Sequence, residues 1–133
     1  MLSLALLPLA ACEGTASNGG RDLAQAVEGH TWLATTIVGK PVIAATSVTL
    51  KIENGRVGGK AGCNGYGGPV EIHSDRVKFG ALFSTEMACV ANGVMEQEQR
   101  YLNLLQGATR GEVRNDGTLM LTADGGAIEF RAQ

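Results

Sequence analysis

The chain is short of the residue types that most site chemistry requires. Aromatic side chains make up only 5% of its 133 residues, too few for a platform that stacks bases or sugars. There are two histidines, His30 and His73, and three cysteines, Cys12, Cys63 and Cys89. None falls into a C-x-x-C or H-x₃₋₅-H spacing, so no metal site is legible and no cofactor is expected. Net charge is −2, with both signs mixed along the chain. That leaves neither the basic patch that would suit nucleic acid nor an acidic tail. The one long apolar run, at the N-terminus, is well short of the roughly 20 residues that span a bilayer.

What is present points to a β-rich domain. The chain is 44% hydrophobic, enough for a sizeable core, and its length suits one domain. Its 19 glycines are about twice the usual share of roughly 7%, as many tight turns between short strands would require.

The N-terminus indicates the compartment. "MLSLALLPLAAC" reads as residues 1–11 of an export signal ending at Cys12. Leu9-Ala10-Ala11-Cys12 resembles a bacterial lipobox, in which small residues let the backbone enter a peptidase groove and the Cys12 thiol becomes a lipid thioether. No Lys or Arg precedes the run, so either the true start lies upstream of Met1 or residues have been trimmed. Two or more acyl chains would anchor the protein to a membrane, and Glu13 beside Cys12 favours the outer one, facing the periplasm. Residues 12–28 then form a tether: "EGTASNGG" is small and polar, and 21–28 suits one short helical turn. In an exported chain the two remaining cysteines, Cys63 and Cys89, invite a disulfide.

From residue 29 onward strand signals dominate. "TWLATTIV" is β-branched, Gly39-Lys40-Pro41 turns the chain, and "TSVTLKIE" alternates apolar and polar residues. Asn54-Gly55 tolerates the positive φ angles of a type I′ hairpin turn. Further strands are expected at "RVGGKAG", "PVEIHS", "RVKFGAL", "ATRGEVRN", "TLMLTA" and "AIEFRA". One helix is expected over 92–107, capped by Asn92 and stopped by Gly107, with Met95, Tyr101, Leu102 and Leu105 on one face and Glu98 interrupting it. The fold class is therefore mainly β (α+β). It is a small antiparallel, barrel-like curled sheet of about eight strands, with the helix between strands five and six.

"KAGCNGYGG" (60–68) admits three readings: a nucleophile loop, a phosphate cradle or half of a structural clamp. A phosphate loop needs a helix N-terminus after its glycines, yet Gly67-Gly68 run into Pro69 and a strand. A cysteine nucleophile needs a base and an orienting carboxylate, and His30 and His73 sit on polar, strand-like stretches. Glu86, Glu96 and Glu98 could pair as glycosidase carboxylates, but sugar-stacking aromatics are scarce. The clamp fits best: Cys63 bonded to Cys89 ties this turn to the helix entry. Asn64 bonds its own turn, Tyr66 is a partly buried ring with its hydroxyl on a backbone group, and Ser84 or Thr85 satisfies loop donors.

These pieces resemble the META domain, or HslJ-like heat-shock lipoprotein, family. "TWLATTIVGKPV", "GRVGGKAGCNGYGG", "FGALFSTEMAC", "MEQEQRYLNLL" and "DGTLMLTADGGAIEFR" stand in the family's order, over about 29–131. The resemblance implies a domain at 29–133 that is exported, often lipid-anchored and associated with stress responses. It implies no established enzymatic activity, no catalytic residue, and the Cys63–Cys89 pair as a disulfide. The expected function is a non-enzymatic binding or structural module held to a membrane by its lipid, with an envelope protein as partner and no nucleic acid. The alternatives are a carrier of a small apolar ligand or lipid inside the barrel, and a thiol-dependent enzyme. No feature fixes the oligomeric state.

Overall fold

A computed structural model describes residues 22–133. The expected signal, Cys12 and most of the expected tether lie outside the described residues. Within them, no helix is long and apolar enough to cross a membrane.

Helix α1 (Leu23–Val27) precedes β1 (Thr31–Ile37), β2 (Lys40–Pro41), β3 (Thr49–Glu53), β4 (Arg56–Lys60), β5 (Gly65–His73), β6 (Arg76–Phe79) and β7 (Phe83–Ser84). Helix α2 (Val94–Gly107) follows, then β8 (Arg110–Val113), β9 (Leu119–Ala123) and β10 (Gly126–Ala132). Eight strands close an antiparallel barrel in the order β1-β3-β4-β5-β6-β8-β9-β10, and β10 pairs back to β1. The mainly-β barrel expected from alternation is therefore present.

The helix position needs correcting. It was expected between strands five and six, but α2 lies between β7 and β8. The difference comes from β2 and β7, two-residue strands outside the barrel circuit. Neither is long enough to carry an alternating pattern.

The hairpins follow from local chemistry. Asn54 and Gly55 adopt φ of 52° and 74°, which joins β3 to β4 through the turn that Asn-Gly favours. β1 and β2 join through Val38 and Gly39, with φ of 50° and 71°, although a β-branched residue is disfavoured there. In the β4–β5 turn the structure corrects the reading of 60–68 as a loop. Lys60 ends β4, and 65–68 already belong to β5. These glycines give β7 room: a Cβ on Gly67 would lie 2.9 Å from the Phe83 ring.

The barrel is not evenly closed. β6 and β8 share one residue pair, Arg76 with Arg110. Two flanking bonds support it: Val77 N–H donates to Thr109 O (3.0 Å) and Gly111 N–H to Asp75 O (2.9 Å).

Trp32, Leu50, Tyr101, Leu119, Ile128 and Phe130 are buried in the core. α1 packs near β8 and β5 and buries Leu23 and Val27, so the packed unit begins ahead of residue 29. Val27 O accepts the indole N–H of Trp32 at 3.3 Å. α2 packs against β6, β9 and β10 and buries Val94, Gln97, Glu98, Tyr101, Leu104 and Leu105. Glu98 thus belongs to the buried face that it was expected to interrupt, while Met95 and Leu102 are only half-buried. Asn92 does not cap α2: Gly93 holds that position at φ 79°, with no side-chain bond. Gly107 does not stop the helix as a left-handed residue either; it is the last residue of α2.

Candidate functional site

The singled-out residues converge where the β4–β5 turn, the segment after β7 and the first turns of α2 meet. Cys63 and Cys89 are joined by a disulfide across a Cα separation of 6.0 Å. The bond ties the turn to the residues leading into α2. It also leaves no free cysteine among the described residues, so the thiol-enzyme reading has no nucleophile there. His30 and His73 are both exposed.

Asn64 is 2% exposed, and its side chain was expected to bond its own turn but reaches other segments instead. Its Oδ1 accepts from Met87 N–H (2.7 Å) and Thr85 Oγ1–H (2.9 Å). Its side-chain amide donates to Met87 O (3.1 Å) and Glu98 Oε2 (2.7 Å). Thr85 Oγ1 in turn accepts Gly65 N–H at 3.3 Å, the loop-satisfying role foreseen for it. Ser84 pairs in β7.

Tyr66 is fully placed in the core, and its hydroxyl donates to Thr49 O at 2.7 Å. The backbone acceptor was expected; the second partner was not. Tyr101 Oη lies 2.6 Å from Tyr66 Oη, and the rings meet edge to face at 5.5 Å. Burial drives both hydroxyls well above the ordinary tyrosine value of 10.0, and for Tyr101 the charge of a neighbouring Tyr66 phenolate would add to the rise.

Sequence reasoning missed the polar face of α2. Glu98, 4% exposed, accepts Cys63 N–H (3.1 Å) and Asn64 N–H (2.6 Å) on Oε1. Gln97 accepts Ile43 N–H (2.7 Å) and donates to Thr46 Oγ1 (3.1 Å). Gln106 accepts Leu82 N–H (3.0 Å) and donates to Phe79 O (3.1 Å) and Gly80 O (2.8 Å). Three polar side chains on one helix thus fasten three separate loops. A faint signal was available: Gln97, Glu98 and Tyr101 sit at helical spacing, so a polar pair shares the face of a core aromatic.

Beside this clamp lies an open cleft of about 420 Å³. Residues 84–88 line one side, and Met95, Gln99 and Leu102 of α2 the other. Met87 in this lining is 59% exposed, and nearby in sequence Phe83 is 62% and Val90 99% exposed. Leu50, Tyr101 and Phe130 are each 0% exposed within the core cluster.

A closed antiparallel barrel, braced by one long helix and stapled by one disulfide, defines a small β-barrel module. The sequence profile of the META domain matches residues 25–133, and the chain belongs to that family. Two solved structures share the fold. One is a protein from Burkholderia xenovorans determined by NMR, with TM-score 0.68 and 24% identity, covering 96% of this chain and 99% of that one. The other, also determined by NMR, has TM-score 0.68 and 16% identity, covering 80% and 92%. No curated protein matches the sequence.

Proposed function

We propose that this META-domain protein is a non-enzymatic binding or structural module of the cell envelope, exported and held at a membrane through lipidated Cys12, where it serves envelope components under stress. One observation supports the non-enzymatic reading above the others. Of the side chains that looked chemical, Cys63, Cys89, Asn64, Tyr66, Thr85 and Glu98 are consumed in holding the fold. His30, His73, Glu86 and Glu96 stand apart on the exposed surface, and among the described residues no buried side-chain nitrogen or oxygen lacks a partner. Groups already saturated by backbone are poorly placed to meet a substrate. The carrier reading would need a chamber within the core, and it has less support because Leu50, Tyr101 and Phe130 are fully buried in one packed cluster.

The test is mass spectrometry of the native protein recovered from a membrane fraction. The expected product begins at Cys12, carries acyl chains there and retains the Cys63–Cys89 bridge. A Cys12→Ala chain should leave the membrane. Unacylated protein in the soluble fraction would overturn the envelope reading.

A further inference from the structure

The segment after β7 is an unfinished strand. Tyr66 pairs with Ser84 and Gly67 with Phe83, and Thr85 N–H donates to Gly65 O at 3.0 Å. At the next inward position the Asn64 side-chain amide replaces backbone, accepting Met87 N–H and donating to Met87 O. Residues 83, 85 and 87 therefore bond inward. Antiparallel alternation then turns the N–H and C=O groups of Ser84 and Glu86 away from β5, and neither residue's backbone has a partner there among the described residues. This outer edge is held in place by the disulfide at Cys89 and by Thr85.

Proteins usually blunt such an edge with Lys, Pro or a covering element. Here it carries neither Lys nor Pro, and among the described residues α2 is bonded across only at the two ends, Gln106 to Leu82 N–H and Glu98 to Asn64. Between them the edge borders the cleft whose far wall presents Met95, Gln99 and Leu102. Alternating donors and acceptors are matched by another extended backbone and by little else. The half-buried Met95 and Leu102 suit apolar side chains on alternate residues of such a strand. Glu86 lines the cleft and no Lys or Arg does, so its charge complements a neutral or basic segment and repels an acidic one.

We propose that the groove between 84–88 and α2 takes an extended, neutral or basic peptide segment of a partner protein as an added β-strand. This deepens the binding-module reading and rests on it only for where the partner is met. Acylation of Cys12 and peptide binding are separate measurements, so either reading fails without the other.

The probe is a synthetic peptide of alternating valine and threonine with lysine at both ends, titrated into the isotope-labelled full chain and followed by amide NMR. Shifts confined to 84–88 and to the Met95–Leu102 face of α2, with slowed hydrogen exchange at Ser84 and Glu86, are expected. The same peptide N-methylated at alternate amides should bind at least tenfold more weakly. Ser84→Pro removes an outward N–H and should weaken binding tenfold or more while leaving the melting temperature unchanged. If that variant fails to fold, the N-methylated peptide still decides. The proposal is overturned by no binding at about 1 mM peptide, by equal binding of the N-methylated form, or by preference for a glutamate-ended peptide. It is equally overturned if Ser84 and Glu86 amides are already protected before peptide is added, because the edge is then filled by the chain itself or by a second copy.

Discussion

Glu98 grips Asn64 at both ends: one carboxylate oxygen accepts its backbone N–H at 2.6 Å, the other its side-chain amide at 2.7 Å. The contact joins α2 to the β4–β5 turn, and Asn64 passes the hold on to Met87. Removing the carboxylate strands three donors, those of Cys63 N, Asn64 N and Asn64 Nδ2. The two Asn64 donors are buried, and each unsatisfied buried donor costs about 1–3 kcal/mol, so Glu98→Ala should lose at least about 2 kcal/mol in urea denaturation. Glu98→Gln keeps the shape but turns an amide donor toward a donor, and should fall between. An Ala variant as stable as the parent would mean that the clamp is decorative.

The disulfide should matter on its own. Closing a loop of this size contributes roughly 3–4 kcal/mol through the unfolded chain. A Cys63→Ser, Cys89→Ser double variant should lose that much stability in denaturant unfolding and melt at a lower temperature, and reductant should lower the parent's melting point but not the variant's.

Alkaline pH should unfold the barrel through its two tyrosines. Tyr66 and Tyr101 are the only tyrosines in the chain, and burial raises both above 10.0 in the folded state. The folded chain therefore holds protons that the unfolded chain releases. Stability is fully present below pH 10 and falls as pH climbs beyond it. Phenolate absorbance should appear together with the loss of Trp32's buried fluorescence. Phenolate forming while Trp32 stays buried would contradict the packing described.

Two glycines should answer differently to alanine. A Cβ on Gly59 would strike the Thr49 carbonyl, which is fixed backbone, whereas on Gly67 its nearest neighbour is the exposed Phe83 ring 2.9 Å away, with the Val57 carbonyl less tight at 3.2 Å. Gly59→Ala should lose about 3 kcal/mol or more, and Gly67→Ala about 1 kcal/mol as the ring swings outward. Equilibrium denaturation of the pair ranks them.

Val38 offers the opposite sign. It holds φ 50° in a two-residue turn, where asparagine is far better tolerated. Val38→Asn should raise stability by about 1 kcal/mol, read as a higher denaturant midpoint.

Legibility tracked locality. Asn54-Gly55 was readable because its turn follows from the backbone freedom of two adjacent residues. The stave of "TSVTLKIE" was readable from alternation. β7 was not, because two residues carry no period and its pairing depends on distant Gly67. Asn64 was read as a turn residue, since nothing nearby shows that Thr85, Met87 and Glu98 will surround it. Glu98 itself looked like a flaw in an apolar stripe, because periodicity counts hydrophobic residues and ignores what a buried carboxylate can hold. The two sulfurs could be proposed as a pair because an expected export signal left two cysteines to match; the Cα separation of 6.0 Å that lets them bond was not legible.

The single β6–β8 residue pair makes that junction the barrel's weakest lengthwise joint. Strain or heat should part the wall there first, before any hairpin lets go. Gln106 is bonded to the β6 end of the joint through Phe79 and Gly80, and Ala108 carries the same helix straight into β8. The helix thus acts as a splint across a crack, and loosening α2 at its C-terminal turn would turn a closed cylinder into an open, curled ribbon.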